Sequence, residues 1–135
     1  MQTGFRKPIV ITGSQLPLAM PRSDARQNLI DSVTCLTAFF NPPHVSLHEV
    51  AVCFGGRLMR GNRCQKTHSS FYQAFDTPTY PYLANLGVDI DWNESALLAV
   101  TGVYRPRFEV RCGFARTAAC TSSPFHPAAA AFVCP

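Results

Sequence analysis

Lys66 is the side chain best suited to change the chemistry of a neighbour. A lysine whose pKa is depressed by burial or by a second cation can serve as a base or assist a hydroxyl nucleophile. On its surroundings alone, in the polar stretch 65–70, Lys66 reads as a solvated loop lysine. Gly13 and Ser14 form the second candidate. They follow the apolar run I-V-I and Thr12, and the loop after a buried parallel strand lies at the carboxyl edge of its sheet, where α/β proteins place ligands. Other chemistry is excluded by spacing. Cys53 and Cys64 with His68 lack the short pairwise intervals of a zinc site, so no metal is expected. Gly55-Gly56-Arg57 has no G-K-[ST] ending and reads as a hairpin turn rather than a phosphate loop. The four histidines have no Ser or Cys partner readable from spacing. The aromatics Phe71, Tyr72, Phe75, Tyr80 and Tyr82 read as packing residues.

The elements that would hold these residues follow from periodicity. Residues 7–12 and 49–54 are continuous apolar runs of strand length, expected to be buried on both faces. Between them, Leu29, Ile30, Val33, Leu36, Thr37 and Phe40 recur at three- and four-residue steps. They predict a helix over 25–40 with that stripe turned inward, capped by Ser23 or Asp24 and stopped by Asn41-Pro42-Pro43. Strand, helix, strand with short links predicts a parallel pair. Gly55-Gly56 then turns the chain into a return arm over 57–64. Residues 82–86 predict a short helix ended by Gly87, 88–92 a short strand and 108–112 a further one. The stretch 113–135 has no sustained period and reads as an irregular tail.

Composition bounds the partners. The chain has 135 residues and a formal net charge of +4, with scattered Lys and Arg, so no nucleic-acid-binding face is expected. No run of about 20 apolar residues is present to cross a bilayer. The N-terminal residues lack the pattern of a secretory signal, so the six cysteines read as reduced thiols of a cytoplasmic protein.

Four stretches occur together in a revealing order. They are K-P-I-V-I-T-G-S-Q-L-P-L at 7–18, R-S-D-A-R-Q-N-L at 22–29, G-G-R-L-M-R-G-N-R-C-Q-K at 55–66 and F-D-T-P-T-Y-P-Y-L-A at 75–84. Together they resemble the type I, cytoplasmic branch of bacterial-type L-asparaginases. The same arrangement occurs in the asparaginase domain of lysophospholipase/asparaginase proteins. The resemblance implies an α/β fold, here part of an N-terminal domain with a mainly parallel sheet, lacking its first strands and the C-terminal domain. It divides the chain into a partial N-terminal domain at 1–92, an inter-domain connection at 93–112 and the irregular tail at 113–135, where a shifted reading frame would explain the abrupt change.

The resemblance also implies a reaction, the hydrolysis of L-asparagine to L-aspartate and ammonia by a threonine hydroxyl, without a cofactor, in a homo-oligomer. A second threonine, an aspartate and a lysine form the relay. Lys66 matches that catalytic lysine. Gly13 and Ser14 match backbone that lies against bound substrate, and Asp24 matches an aspartate with a structural role. Gln65 departs from the family's usual residue beside the lysine, which puts an allosteric asparagine site there in doubt. The family's T-G-G-T-I and H-G-T-D-T elements do not occur in these residues. The chain is therefore expected to be inactive alone, or else to be a noncatalytic remnant or interaction module. Uncovered sheet surface, with Val10, Ile11, Val52 and Phe54 only partly covered, should leave it marginally stable and prone to associate.

Overall fold

The computed structural model describes residues 7–99 and, as backbone, the strand segments Gln2–Thr3, Glu109–Val110 and Ala131–Val133. In chain order the elements are β1 (Gln2–Thr3), β2 (Ile9–Thr12), α1 (Ala25–Thr37), β3 (Val50–Phe54), β4 (Arg57–Arg60), β5 (Gln65–Lys66), β6 (Phe75–Asp76), β7 (Ala84–Leu86), β8 (Ile90–Trp92), β9 (Glu109–Val110) and β10 (Ala131–Val133). The main sheet is ordered β10-β2-β3-β4-β7-β8, with β1-β9 and β5-β6 as separate two-stranded pairs. The class is α/β and the sheet is mixed. β2 pairs parallel with both β3 and β10, whereas β3-β4, β4-β7 and β7-β8 are antiparallel. The parallel half is the half that α1 crosses. The antiparallel half is built from tight hairpins, which need no crossover. The first hairpin turns at Gly55 and Gly56, whose φ angles of 58° and 74° give the twist that antiparallel strands prefer.

Strand alternation assigns the two faces. Val10, Ala51 and Cys53 are fully buried beneath α1, together with Cys35, Leu47, Leu58, Leu83 and Ala84. On the opposite face Phe54 and Met59 are covered by Ala74 and Phe75, with the Phe54 and Phe75 rings edge-to-face at 5.1 Å. Ile11 and Val52 share a register position on this face. Ile11 is 37% exposed and Val52 half-buried. Incomplete cover therefore applies to Ile11 and Val52, while Val10 and Phe54 are buried.

Helix α1 corrects the sequence reading in phase. It ends at Thr37 rather than Phe40 and buries Asn28, Asp31, Ser32 and Cys35. Leu29, Ile30 and Val33 are 44%, 48% and 47% exposed. The buried stripe keeps the helical period but is mostly polar, and its polar members find partners. Ser32 Oγ donates to the Asn28 carbonyl at 2.7 Å, and Gln27 donates to Asp31 at 2.7 Å. A satisfied polar group can be buried at little cost, so hydrophobicity alone did not choose the face. Past Thr37, the Asn41 side-chain amide donates to the Thr37 carbonyl at 3.2 Å, covering a terminal acceptor.

The expected helix at 82–86 is instead strand β7. Five residues after a proline are too few to nucleate a stable helix, and β4 offers an open edge. The backbone N–H groups of Leu83 and Leu86 donate to the carbonyls of Leu58 and Gly56, each at 2.8 Å. Within the expected irregular tail, Ala131–Val133 forms β10 alongside β2; the remainder of 113–135 lies outside the described residues. The expected strand at 108–112 appears as Glu109–Val110, paired with β1.

Candidate functional site

The loop after β2 is held by a hydrogen-bonded frame centred on Asn28. Asn28 is 2% exposed, and both protons of its side-chain amide are used. One goes to the Gly13 carbonyl at 2.9 Å and the other to Asp24 Oδ2 at 3.0 Å. Its oxygen accepts the Gly55 backbone N–H at 3.1 Å. Beneath it, Thr12 Oγ1 donates to the Cys53 carbonyl at 2.9 Å, tying the ends of β2 and β3 together. A single side chain thus joins the carboxyl edge of β2, the start of α1 and the β3-β4 turn. Its signal lay in the R-S-D-A-R-Q-N-L stretch, yet an asparagine inside a helical pattern reads as an exposed polar residue, and it was missed.

Asp24 stands at the N-cap of α1 but makes no side-chain cap bond. Besides the bond from Asn28, its carboxylate accepts the backbone N–H of Gln15 at 3.0 Å and of Leu16 at 3.2 Å. Ser23 Oγ takes the nearer role, accepting the Ala25 N–H at 3.1 Å while donating to the Leu16 carbonyl at 2.9 Å. The loop carrying Gly13 and Ser14 is therefore pinned through its backbone, leaving Ser14 exposed and Gly13 half-buried.

Lys66 is exposed and lies in β5, which pairs with β6 in the register Lys66↔Phe75. Among the described residues its ammonium forms no ion pair. The loop joining β5 to β6 docks on the loop after β2. Gln15 Nε2 donates to the Phe71 carbonyl at 2.9 Å, and Tyr72 Oη donates to the Arg22 carbonyl at 2.8 Å. The approach continues at the hairpin, where a Cβ on Gly55 would sit 3.1 Å from the Tyr72 carbonyl oxygen. Gly13 and Asp24 thus share one bonded frame, which also pins the loop carrying Ser14. Lys66 joins them only through the arm that carries it, with no direct contact.

A second polar cluster lies past β6. Arg57 Nη1 donates to Tyr82 Oη at 2.7 Å, its guanidinium lies 4.7 Å from the ring centroid, and Tyr82 Oη donates to Asp76 Oδ1 at 2.6 Å. The Tyr82 hydroxyl holds the Asp76 carboxyl below its usual range, aided by the Thr77 N–H. The same bond pushes the Tyr82 phenol up. Asp76, Tyr80, Tyr82, Asp91 and Trp92 line an open cavity of about 610 Å³. None of Gly13, Ser14, Asp24 or Lys66 borders it, so the cavity is distinct from the frame around Asn28. No group of His, Cys, Asp and Glu suited to a metal occurs among the described residues.

Comparison with known proteins points to one family. The profile described as "Asparaginase, N-terminal" matches residues 1–98. The chain is 40% identical over 90 residues to L-asparaginase 1 of Escherichia coli K12, covering 67% of this chain and 25% of that protein. It is 32% identical over 102 residues to the 60 kDa lysophospholipase of Mus musculus, covering 76% of this chain and 17% of that protein. The crystal structure of L-asparaginase I from Vibrio cholerae superposes with a TM-score of 0.62 at 35% identity, covering 82% of this chain and 31% of that one. The chain thus spans a quarter or less of the length of these two curated relatives.

Proposed function

This chain belongs to the asparaginase family, and on that premise we propose that Gly13, Ser14 and Lys66 serve the hydrolysis of L-asparagine to L-aspartate and ammonia, with the threonine nucleophile supplied from outside these 135 residues. The observation that carries this reading is the Asn28 frame. It fixes the Gly13 carbonyl and the Gln15 and Leu16 N–H groups at the carboxyl edge of β2, the edge where α/β folds bind ligands. Pinned backbone at that edge is preorganised to contact a small zwitterion. The arm bearing Lys66 docks on the same loop through Gln15 and Tyr72.

In this reading Lys66 is the cationic member of a relay that activates a hydroxyl, and Asp24 is a positioning residue acting through the loop. Lys66 is exposed. Its role therefore needs the covering elements that bring the threonines. No cofactor enters the reaction. Residues 1–92 are the N-terminal-domain part, 93–112 lead toward a second domain and 113–135 lie apart from the family pattern. The parent enzyme is assigned to the cytoplasm and to a homo-oligomer, with no nucleic-acid or membrane partner. No helix among the described residues is long and apolar enough to cross a membrane.

Complementation tests the proposal. Adding a polypeptide that carries T-G-G-T-I and H-G-T-D-T elements should restore ammonia release from L-asparagine, and Lys66→Ala should abolish it. Restored activity that is indifferent to Lys66→Ala would sink the assignment. One observation favours the second reading, a noncatalytic interaction module: the uncovered Leu29, Ile30 and Val33 face. That reading predicts no activity in any such mixture.

A further inference from the structure

We infer that Glu49 and Arg60 form a latch that ties residues 94–98 to the central strands β3 and β4, and so fixes the point from which the chain leaves this domain. Glu49 directly precedes β3 and Arg60 ends β4. The register Ala51↔Arg60 brings them side by side in the middle of the main sheet. Their ion pair has two points of contact. Arg60 Nε donates to Glu49 Oε2, and Nη2 donates to Oε1 at 3.1 Å. The Arg60 and Glu49 side chains are 17% and 7% exposed. Both then reach the short turn Glu94–Ala96 and the residues after it. Arg60 Nη2 donates to the Ala96 carbonyl at 2.8 Å, and Glu49 Oε1 accepts the Leu98 N–H at 2.9 Å. Tyr80 Oη donates to the same Ala96 carbonyl at 3.0 Å, and the Arg60 guanidinium lies 4.4 Å from the Tyr80 ring centroid.

The turn cannot hold itself. Its own backbone bonds run from the Ala96 N–H to the Asn93 carbonyl and from the Leu97 N–H to the Glu94 carbonyl, and so short a helical turn does not persist in isolation. Its anchors are distant in sequence: Glu49 and Leu98 are 49 residues apart. A shielded charge is costly unless it is paired and hydrogen-bonded, so the pair has one favourable arrangement, and that arrangement includes Ala96 and Leu98. The R-G-N-R stretch gains a physical reason here. The Gly61 N–H donates to the Val50 carbonyl at 2.8 Å, and a Cβ on Gly61 would lie 3.0 Å from that oxygen. A side chain there would push the end of β4, and Arg60 with it, away from Glu49. The family profile runs to residue 98, the residue whose N–H the latch holds. The connection toward a second domain then starts after Leu98 rather than after Trp92. That last step rests on the proposed division of the chain, whereas the latch rests on its bonds.

Amide hydrogen exchange of the full 135-residue chain, read by NMR, tests the latch against a synthetic peptide of residues 92–99. In the unsubstituted chain the Leu98 amide should exchange at least about tenfold more slowly than in the peptide. Glu49→Ala should bring Leu98 to within about threefold of the peptide rate. The Leu83 amide, bonded to the Leu58 carbonyl at 2.8 Å, should stay protected in that variant. Arg60→Lys is the milder substitution: it keeps the charge, loses the planar fork, and should also quicken exchange at Leu98. Exchange of Leu98 at the peptide rate in the unsubstituted chain overturns the latch. So does protection of Leu98 that survives both substitutions. The first comparison uses no variant, so its result does not depend on one folding. Exchange is also independent of asparagine hydrolysis, so failed complementation leaves the latch standing, and an unprotected Leu98 leaves the hydrolytic reading standing.

Discussion

Replacing Asn28 by alanine removes the centre of the site frame. The side chain is 2% exposed and makes three hydrogen bonds, to Gly13, Asp24 and Gly55. A buried polar group left without its partner costs about 1–3 kcal/mol. Gly13 and Gly55 are half-buried, so water recovers part of each bond and the lower end applies to both. Asp24 keeps its bonds to Gln15 and Leu16 and loses little. The total is about 2 kcal/mol, against the 5–15 kcal/mol typical of a whole domain. Urea unfolding followed by circular dichroism measures it. With a slope of about 1–2 kcal/mol per molar, the midpoint should fall by about 1–2 M. If the parent midpoint is lower than that, the variant should be largely unfolded without urea. Thr34→Ala is the control, since Thr34 is exposed and its hydroxyl donates only to the Ile30 carbonyl; its change should stay within about 0.5 kcal/mol. An Asn28→Ala midpoint indistinguishable from that of Thr34→Ala would refute the argument that one buried amide joins three elements.

Gly55→Ala combines a positive φ with a Cβ 3.1 Å from the Tyr72 carbonyl oxygen, so it should destabilise by about 1–2 kcal/mol and lower the melting midpoint; an unchanged midpoint contradicts the close approach. The Asp76 carboxyl is depressed chiefly by Tyr82, so its contribution is complete above the unfolded pKa of about 4 and is lost as pH falls through the lower folded value. The stability gap between the parent and Tyr82→Phe should therefore be present at pH 7 and shrink below pH of about 4; a gap that widens on acidification reverses the sign. Leu29→Lys with Val33→Lys should leave the melting midpoint of the chain nearly unchanged and reduce its self-association in sedimentation velocity, because both positions are exposed; a large loss of stability would mean that this face is the packed one.

Much of the architecture was readable because local signals were strong. The I-V-I run, the V-A-V-C-F run and the Gly55-Gly56 turn each permit few conformations, and β2, β3 and the hairpin appear where periodicity placed them. The phase of α1 was not readable. The buried stripe of Asn28, Asp31, Ser32 and Cys35 is polar, and what makes it interior is a set of partners distant in sequence, such as Gly55. Strand β7 is illegible in the sequence for a related reason: nothing within residues 82–86 reveals that the edge of β4 is available. At the site, family-like stretches marked Gly13, Ser14, Asp24 and Lys66, but the residue joining Gly13 and Asp24 by hydrogen bonds, Asn28, emerged only in three dimensions.

Ammonia release from L-asparagine by the purified 135-residue chain alone is the most direct measurement. With Lys66 in place and neither family threonine element in these residues, the rate should equal that of buffer. Sustained release above that background, lost on Lys66→Ala, would contradict the claim that the attacking hydroxyl comes from elsewhere.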